Sequence, residues 1–466
     1  MQITETAPLE QPATNVRRPP GPKRNNPLLG LLAYRRGRVG FLQRMAERYG
    51  DICYFAIGSQ QAYLLNHPDF IKEVLITNSH NFMKGSALQR SKRLLGEGLL
   101  TSEGETHRRQ RRLAQPAFHR SRVESYATVM TEYTARAIAN WRDGQTLDLA
   151  EEMMALTLAI VGKTLFDADI EAEAEGVGAA ITGMLQATDT SSLSSIMIDA
   201  LKKLPVARKR SGAKAQAKFD SAKGKLDALI YRLIDERRQS GDRGDLLSML
   251  LLAQDEDDGG RMSDLQLRDE AMTIFMTGHE TTAVTLAWTF YLLSQNPDIE
   301  TKVHAEVDEV INGRVPTMAD IARLPYTEMV LSESMRLYPP AWALQRTALN
   351  DSEIGGYVIP KGSQVLMSQY VMHHDARYFP EPEKFDPERW TKEARDARPQ
   401  FSYFPFGGGL RRCIGDAFAM MEATLLLVQL AQQWQMSLVP GHVVELQPVM
   451  SLRPKHGMKM VLKRRG

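Results

Sequence analysis

The ten residues from Phe406 to Gly415, Phe-Gly-Gly-Gly-Leu-Arg-Arg-Cys-Ile-Gly, bring together a thiol, two cations and four glycines. They open an apolar, helix-patterned segment that runs from about Asp416 to Trp434. A cysteine just ahead of a helix faces its free N–H groups and the positive end of its dipole, and both favour thiolate. The glycines let backbone approach a large flat object and supply unusual φ angles. Arg411, two residues before the sulfur, offers a cation to an anionic group on that object. Thiolate is a ligand that haem iron accepts, so Cys413 is the candidate axial ligand. The bland alternative is a glycine-rich turn ahead of a helix, with an inert buried cysteine.

A second constellation is Thr277-Gly278-His279-Glu280-Thr281-Thr282. It lies in the middle of one long helix expected from Ser263, whose capping box with Gln266 marks the start, to about Ser294, where Asn296-Pro297 stops it. About thirty residues at ~1.5 Å each cross a whole domain. A glycine, a carboxylate and three threonines in mid-helix contradict helix propensity, a violation that marks function. Gly278 permits close approach of a flat ligand. A threonine diverts backbone hydrogen bonding and opens a groove for water. Glu280 beside Thr281 then makes a relay that passes protons inward; the bland alternative is a polar helix stripe. His279-Glu280 does not begin a zinc-protease motif, because Ala283 stands where the second histidine is required.

Two further pairs share helix faces. His107 and Arg111 are four apart, with Arg108, Arg109 and Arg112 on the other faces. Glu333 and Arg336 are three apart in an otherwise apolar helix that opens at Pro325 and closes at Tyr338 before Pro339-Pro340. Alone, each pair reads equally as solvated surface charge. His373 and His374 are adjacent; in a strand they would point to opposite faces, so they are structural rather than a metal pair.

The chain of 466 residues carries a net charge of +2, which gives no argument for nucleic acid. Length alone would allow about three domains, but a cofactor can nucleate one large core. Two cysteines, Cys53 and Cys413, are too few for a disulfide framework and point to a reducing, cytoplasmic setting. Cys53 sits in an apolar strand-like run, Ile52 to Ile57, paired as a hairpin with Ala62 to Leu65. No run approaches the ~18 apolar residues of a membrane span, and the polar N-terminus lacks a secretory pattern. Residues 1–24 form a flexible, proline-containing arm. His80 to Glu105 reads as a long, glycine-containing loop. From Ser121 to about Asp255 the pattern is helical. Within it, Leu193, Ile196, Met197, Leu201 and Leu204 followed by Arg208-Lys209-Arg210 would cover the core or lie on a lipid surface.

The segment around Cys413 resembles the cysteine signature of the cytochrome P450 family, Phe-x-x-Gly-x-Arg-x-Cys-x-Gly, at every fixed position, including Phe406 and Gly415. The resemblance extends through most of the chain, and Arg18-Pro19-Pro20-Gly21-Pro22 resembles the family's hinge. It implies a mainly α fold with small β-sheets, in which residues 25–466 form a single haem domain. Haem b, iron protoporphyrin IX, would lie between the long central helix and the helix of the cysteine loop. It also implies roles for particular residues. His107, Arg111 and Arg346 would bind haem propionates, with Arg411 on the cysteine loop. Glu280 and Thr281 match the oxygen-activating acid–alcohol pair, although Thr277 stands where alanine or glycine is usual. Glu333 and Arg336 would form a buried ion pair completed by Arg389. The region from His80 to Glu105 would roof the pocket, and the hairpin at Val449 to Leu452 would touch substrate. The remaining arginines beside His107 would face outward toward an acidic electron donor.

The reading is therefore a monomeric haem-thiolate monooxygenase that activates O2. Cys413 thiolate would favour O–O cleavage. Electrons would come from a separate ferredoxin- or flavodoxin-type donor with its reductase. A peroxide-dependent peroxygenase or isomerase would lack the acid–alcohol pair, and a haem-thiolate gas or ligand sensor needs no protons. The expected lining, which includes Leu99, Thr277, Ala341, Leu344, Met450 and part of Gly183–Ser195, is mostly apolar. It suits a fatty acid, terpenoid or steroid. Arg90 and Arg93 either anchor a substrate carboxylate or face solvent.

Overall fold

The computed structural model of the chain describes residues 18–22, 27–57, 60–168, 211–255 and 259–466. The amphipathic piece at 193–210, the pocket segment 183–195 and most of the N-terminal arm lie outside these. Of the arm, Pro20 is held to the body by its carbonyl, which accepts from Tyr54 N–H at 2.9 Å.

Helices α1 (Pro27–Arg36) and α2 (Arg38–Tyr49) lead into strands β1 (Ile52–Ile57) and β2 (Gln60–Leu65), the expected hairpin, an antiparallel pair with Ile52 opposite Leu65. A five-stranded sheet has the order β1, β2, β6 (Gln364–Met367), β5 (Leu344–Ala348), β3 (Phe82–Lys84), with only β2 and β6 parallel. Strands β4 (Thr146–Asp148), β7 (Trp434–Leu438) and β10 (Lys459–Arg464) form a second sheet. β8 (Leu446–Pro448) and β9 (Leu452–Pro454) make a terminal hairpin. Cys53 is fully buried in β1, and that burial pushes its thiol up to about 12. It is packing.

The segment from His80 to Glu105 is not a loop throughout. It holds β3 and helix α3 (Ser86–Leu95), whose buried face is Ser91, Leu94 and Leu95. Four basic or amide side chains and flanking glycines disguise that face in the sequence. Helix α4 (Gly104–Ala114) carries His107 and Arg111. The helical core continues through α5 (Ala127–Ile138), α6 (Leu149–Phe166), α7 (Ser211–Ser240) and α8 (Leu246–Leu252).

The expected single central helix is two: α9 (Asp264–Gly278) and α10 (Glu280–Gln295), interrupted at His279. The capping box at Ser263 and Gln266 is present in both directions. The interruption lies against α6. A Cβ at Gly278 would meet Val161 at 3.3 Å, and the Thr157 hydroxyl donates to the His279 carbonyl at 3.0 Å. Gly278 thus serves helix packing. α11 (Pro297–Ile311) and α12 (Pro325–Leu337) follow, each opened by proline at its first position, where the missing N–H costs nothing. The last long helix, α13 (Asp416–Gln433), begins directly after the cysteine loop and is buried along most of its length.

His373 lies in a short helix, Gln369–His373, rather than in a strand. Its Nε2 accepts from Phe404 N–H at 3.0 Å, while His374 Nδ1 pairs with the Tyr370 carbonyl. Both histidines are structural. Among the described residues no helix is long and apolar enough to cross a membrane.

Candidate functional site

The cysteine loop is closed by its own backbone. Cys413 N–H donates to the Phe406 carbonyl at 3.0 Å, and Gly407 N–H to Phe404 at 2.9 Å. A Cβ at Gly409, whose φ is +65°, would stand 2.0 Å from the Leu75 carbonyl oxygen. So this glycine seats the loop on the Leu75 backbone, a role different from the expected approach to a flat ligand. Gly415 caps α13 and directs its N–H at the Cys413 sulfur.

Cys413 is exposed as a residue, but protein surrounds it at longer range. Burial raises the Cys413 thiol, and this outweighs the Gly415 N–H and the charges of Arg111 and Arg412. The Gly415 N–H at the helix start does favour thiolate, as expected, and burial acts against it.

The candidate anion ligands do converge. Lys84 of β3 stands opposite Arg346 of β5 in the sheet register, and both are buried. Arg346 lies in the middle of its strand. Arg411 donates to the Ser102 carbonyl at 2.7 Å and pairs with Glu103. Arg111 donates to the Arg412 carbonyl at 2.7 Å, tying α4 to the cysteine loop. Burial together with the charges of Arg411, Lys84 and Arg111 pushes His107 down to about 3. Arg346 is lowered to about 10 by burial and then by Arg411. Lys84 lies well below its usual range for the same reasons. Glu103 pairs with Arg411, and its charge acts on the buried Lys84 and Arg346; with Arg111 beside the loop, positive groups outnumber carboxylates here among the described residues, which suits a cofactor carrying carboxylates. These residues fit haem. Lys84 and Glu103 escaped the sequence reading, because neither spacing nor motif marks them.

The outward arginines are different from expectation. Arg109 and Arg112 reach the buried Asp255, at 3.0 and 2.9 Å. Of the three, Arg108 is the most exposed, and it pairs with Glu105. Arg93 donates to Gln216 of α7 at 2.9 Å and covers the Phe219 ring, so it is engaged outside any carboxylate site.

From Leu267 to Phe290 the central helices are buried at every position except Thr277, Gly278 and Thr281, which are half-buried. These three positions form the window through which this stretch of the two helices is reached from outside. Its threonines form a hydroxyl ladder: Thr277 Oγ1 donates to the Thr273 carbonyl at 2.8 Å, and Thr281 Oγ1 to the Thr277 carbonyl at 3.2 Å. Glu280, by contrast, is buried and faces the terminal hairpin. Its Oε1 accepts from Ser451 Oγ and from Arg453 Nε at 2.7 Å. The Glu280 partners Ser451 and Arg453 carried no motif in the sequence.

The other expected lining residues vary. Ala341 and Leu344 are half-buried, and Met450 is exposed at the hairpin tip between β8 and β9. Leu99 is buried, its N–H donating to Glu270 Oε2 at 3.0 Å. The hairpin tip is fixed by two tryptophans, Trp342 on the Val449 carbonyl at 3.0 Å and Trp288 on that of Leu452 at 2.8 Å.

The ion-pair expectation is met in geometry. Arg336 forks onto Glu333 at 2.9 and 2.8 Å, and both are fully buried. Arg389 Nε lies 3.3 Å from Glu333. Trp390 Nε1 and the Asp386 N–H add two more donors to the same carboxylate, at 2.9 and 3.1 Å. Arg336 also donates to the carbonyls of His373, Pro382 and Lys384, so both charges of the Glu333–Arg336 pair are partnered.

Comparison with known proteins agrees with this geometry. The family model "Cytochrome P450" matches residues 19–461. The chain is 41% identical over 452 residues to a cyclooctatin synthase of Streptomyces melanosporofaciens, covering 95% of each chain. It is 37% identical to cyclooctat-9-en-7-ol 5-monooxygenase of the same organism, covering 94% of this chain and 92% of that one. The crystal structure of the cytochrome P450DA haem domain superposes with a TM-score of 0.87 at 28% identity, covering 97% and 98% of the two chains.

Proposed function

Because the chain belongs to the cytochrome P450 family, and so is a haem-dependent monooxygenase, we propose that it hydroxylates an apolar terpenoid. The observation that carries the reading is the window of Thr277, Gly278 and Thr281 in an otherwise buried helix pair, in a chain whose cysteine loop leaves Cys413 exposed. The half-buried, apolar Ala341 and Leu344 and the Met450 tip favour a hydrocarbon skeleton. The relatives named for cyclooctatin and cyclooctat-9-en-7-ol favour a terpenoid over a fatty acid or steroid.

The cofactor is haem b, which when bound supplies the oxygen-activating and hydroxylating chemistry. Cys413 would ligate its iron. His107, Arg111, Arg346 and Arg411 would hold its carboxylates, with Lys84 adding positive charge. Thr281 keeps a hydroxyl at the window, and the Thr277 carbonyl orients it by accepting its hydrogen bond. Glu280 holds an acidic group one residue away, restrained by Ser451 and Arg453. Proton delivery to the window is assigned to this pair. Two electrons come from a separate ferredoxin- or flavodoxin-type protein. The enzyme works as a cytoplasmic monomer whose haem domain occupies residues 25–466.

The test is turnover of a terpenoid panel under oxygen-18 gas with a surrogate ferredoxin and its reductase. One labelled oxygen atom in the product supports the reading. Product formed only with added peroxide, or without label, contradicts it.

A further inference from the structure

The window contains one hydroxyl whose donor is already committed and which is not assigned to proton delivery. A threonine hydroxyl has one hydrogen to give and two lone pairs to accept with. Thr277 gives its hydrogen to the Thr273 carbonyl at 2.8 Å, one turn back along α9. What remains on its oxygen is accepting capacity alone. Thr281 is placed in the same way, with its hydrogen on the Thr277 carbonyl.

The side chains expected from the sequence to line the pocket add little else that is polar among the described residues. Leu99, Ala341, Leu344 and Met450 are apolar, and the indole N–H groups of Trp288 and Trp342 are spent on backbone carbonyls. A hydrocarbon seated there would strip water from the Thr277 oxygen and give nothing back. A substrate that carries an O–H would donate to it. In an apolar site this one contact also fixes which carbon of the skeleton is presented.

We infer that Thr277 is a specificity-determining residue that selects a terpenoid already bearing a hydroxyl over the parent hydrocarbon. The reaction that supplies the substrate therefore belongs to a class that leaves an alcohol on the skeleton, either a hydration or an earlier hydroxylation. The inference rests on the terpenoid monooxygenase reading above. A net hydrogen bond of ordinary strength corresponds to about a tenfold preference.

The experiment is optical titration of the haem-loaded protein with matched pairs: farnesol and farnesene, cedrol and cedrene, manool and its dehydrated hydrocarbon. Conversion from low to high spin reports binding. Wild type is compared with Thr277→Val, which keeps the branched shape without the oxygen, and Thr277→Ser, which keeps the oxygen. Thermal melts verify that each variant is folded. The expected result is that wild type and Thr277→Ser bind the alcohol of a pair about tenfold more tightly than the hydrocarbon, and that Thr277→Val brings the two within about twofold. The inference is overturned if wild type binds both members equally, or if Thr277→Val keeps the preference. If wild type binds neither member of any pair, the terpenoid reading falls and this inference with it.

Discussion

Glu280 and Arg453 meet across 173 positions of sequence, with Arg453 Nε donating to Glu280 Oε1 at 2.7 Å. The contact joins the first residue of α10 to the strand beside the Met450 tip. Ser451 shares the same carboxylate oxygen. The acid of the proposed relay is therefore held by the element proposed to touch substrate.

Removing the cation leaves a buried carboxylate with one hydroxyl partner. Arg453→Met is expected to cost about 3 kcal/mol, the usual result of breaking one side of a buried pair. Arg453→Lys should recover most of it. Urea melts of the two variants measure the difference, and equal stability of wild type and Arg453→Met would show the pair to be energetically idle.

Glu333 accepts from Arg336, Trp390 and the Asp386 N–H and lies 3.3 Å from Arg389. Glu333→Ala leaves the fully buried Arg336 without its counter-charge. The variant is expected to lose at least ~3 kcal/mol and to be recovered without haem. The haem-to-protein absorbance ratio measures this, and a well-folded, fully loaded Glu333→Ala would refute the assignment.

Among the described residues, the buried carboxyls of Glu270 and Glu422 face no cation that would hold them ionised. Burial pushes Glu270 and Glu422 up to about 8, although Leu99 N–H partly offsets this at Glu270. Glu422 faces Thr282 without a formed hydrogen bond. In the unfolded chain both carboxyls titrate near ~4.3. Between these values the folded protein keeps protons that the unfolded chain has released, so their contribution to stability falls as pH rises from about 5 to about 8. Glu422→Gln removes one of them. Its stability relative to wild type should grow by on the order of 1 kcal/mol per pH unit across that window. Denaturant melts at several pH values check this, and a pH-independent difference would contradict it.

The sequence made some features legible and hid others, for physical reasons. Cys413, Glu333 and Arg336 stand out because a thiol at a helix start and a charge pair in an apolar helix are both costly unless used. The Ser263 capping box marks α9 because it satisfies N–H groups locally. The break at His279 is invisible locally, since it is fixed by Thr157 and Val161 of α6, more than a hundred residues away. Helix α3 hides because Ser91 takes a core position that periodicity reserves for apolar residues. Arg109 and Arg112 look solvated until the fold brings Asp255 beneath them. Lys84 and Glu103 join the anion site only through sheet pairing and loop closure, which no spacing encodes.

The central claim is that the window of α9 and α10 supports oxygen activation through Thr281. It is tested most directly by measuring, in one assay, the electrons and O2 consumed and the hydroxylated product and peroxide released by wild type and Thr281→Ala. The account predicts that the variant still consumes O2 but forms product at least about tenfold less efficiently, with the missing oxygen appearing as peroxide. Unchanged product per O2 in Thr281→Ala would contradict it.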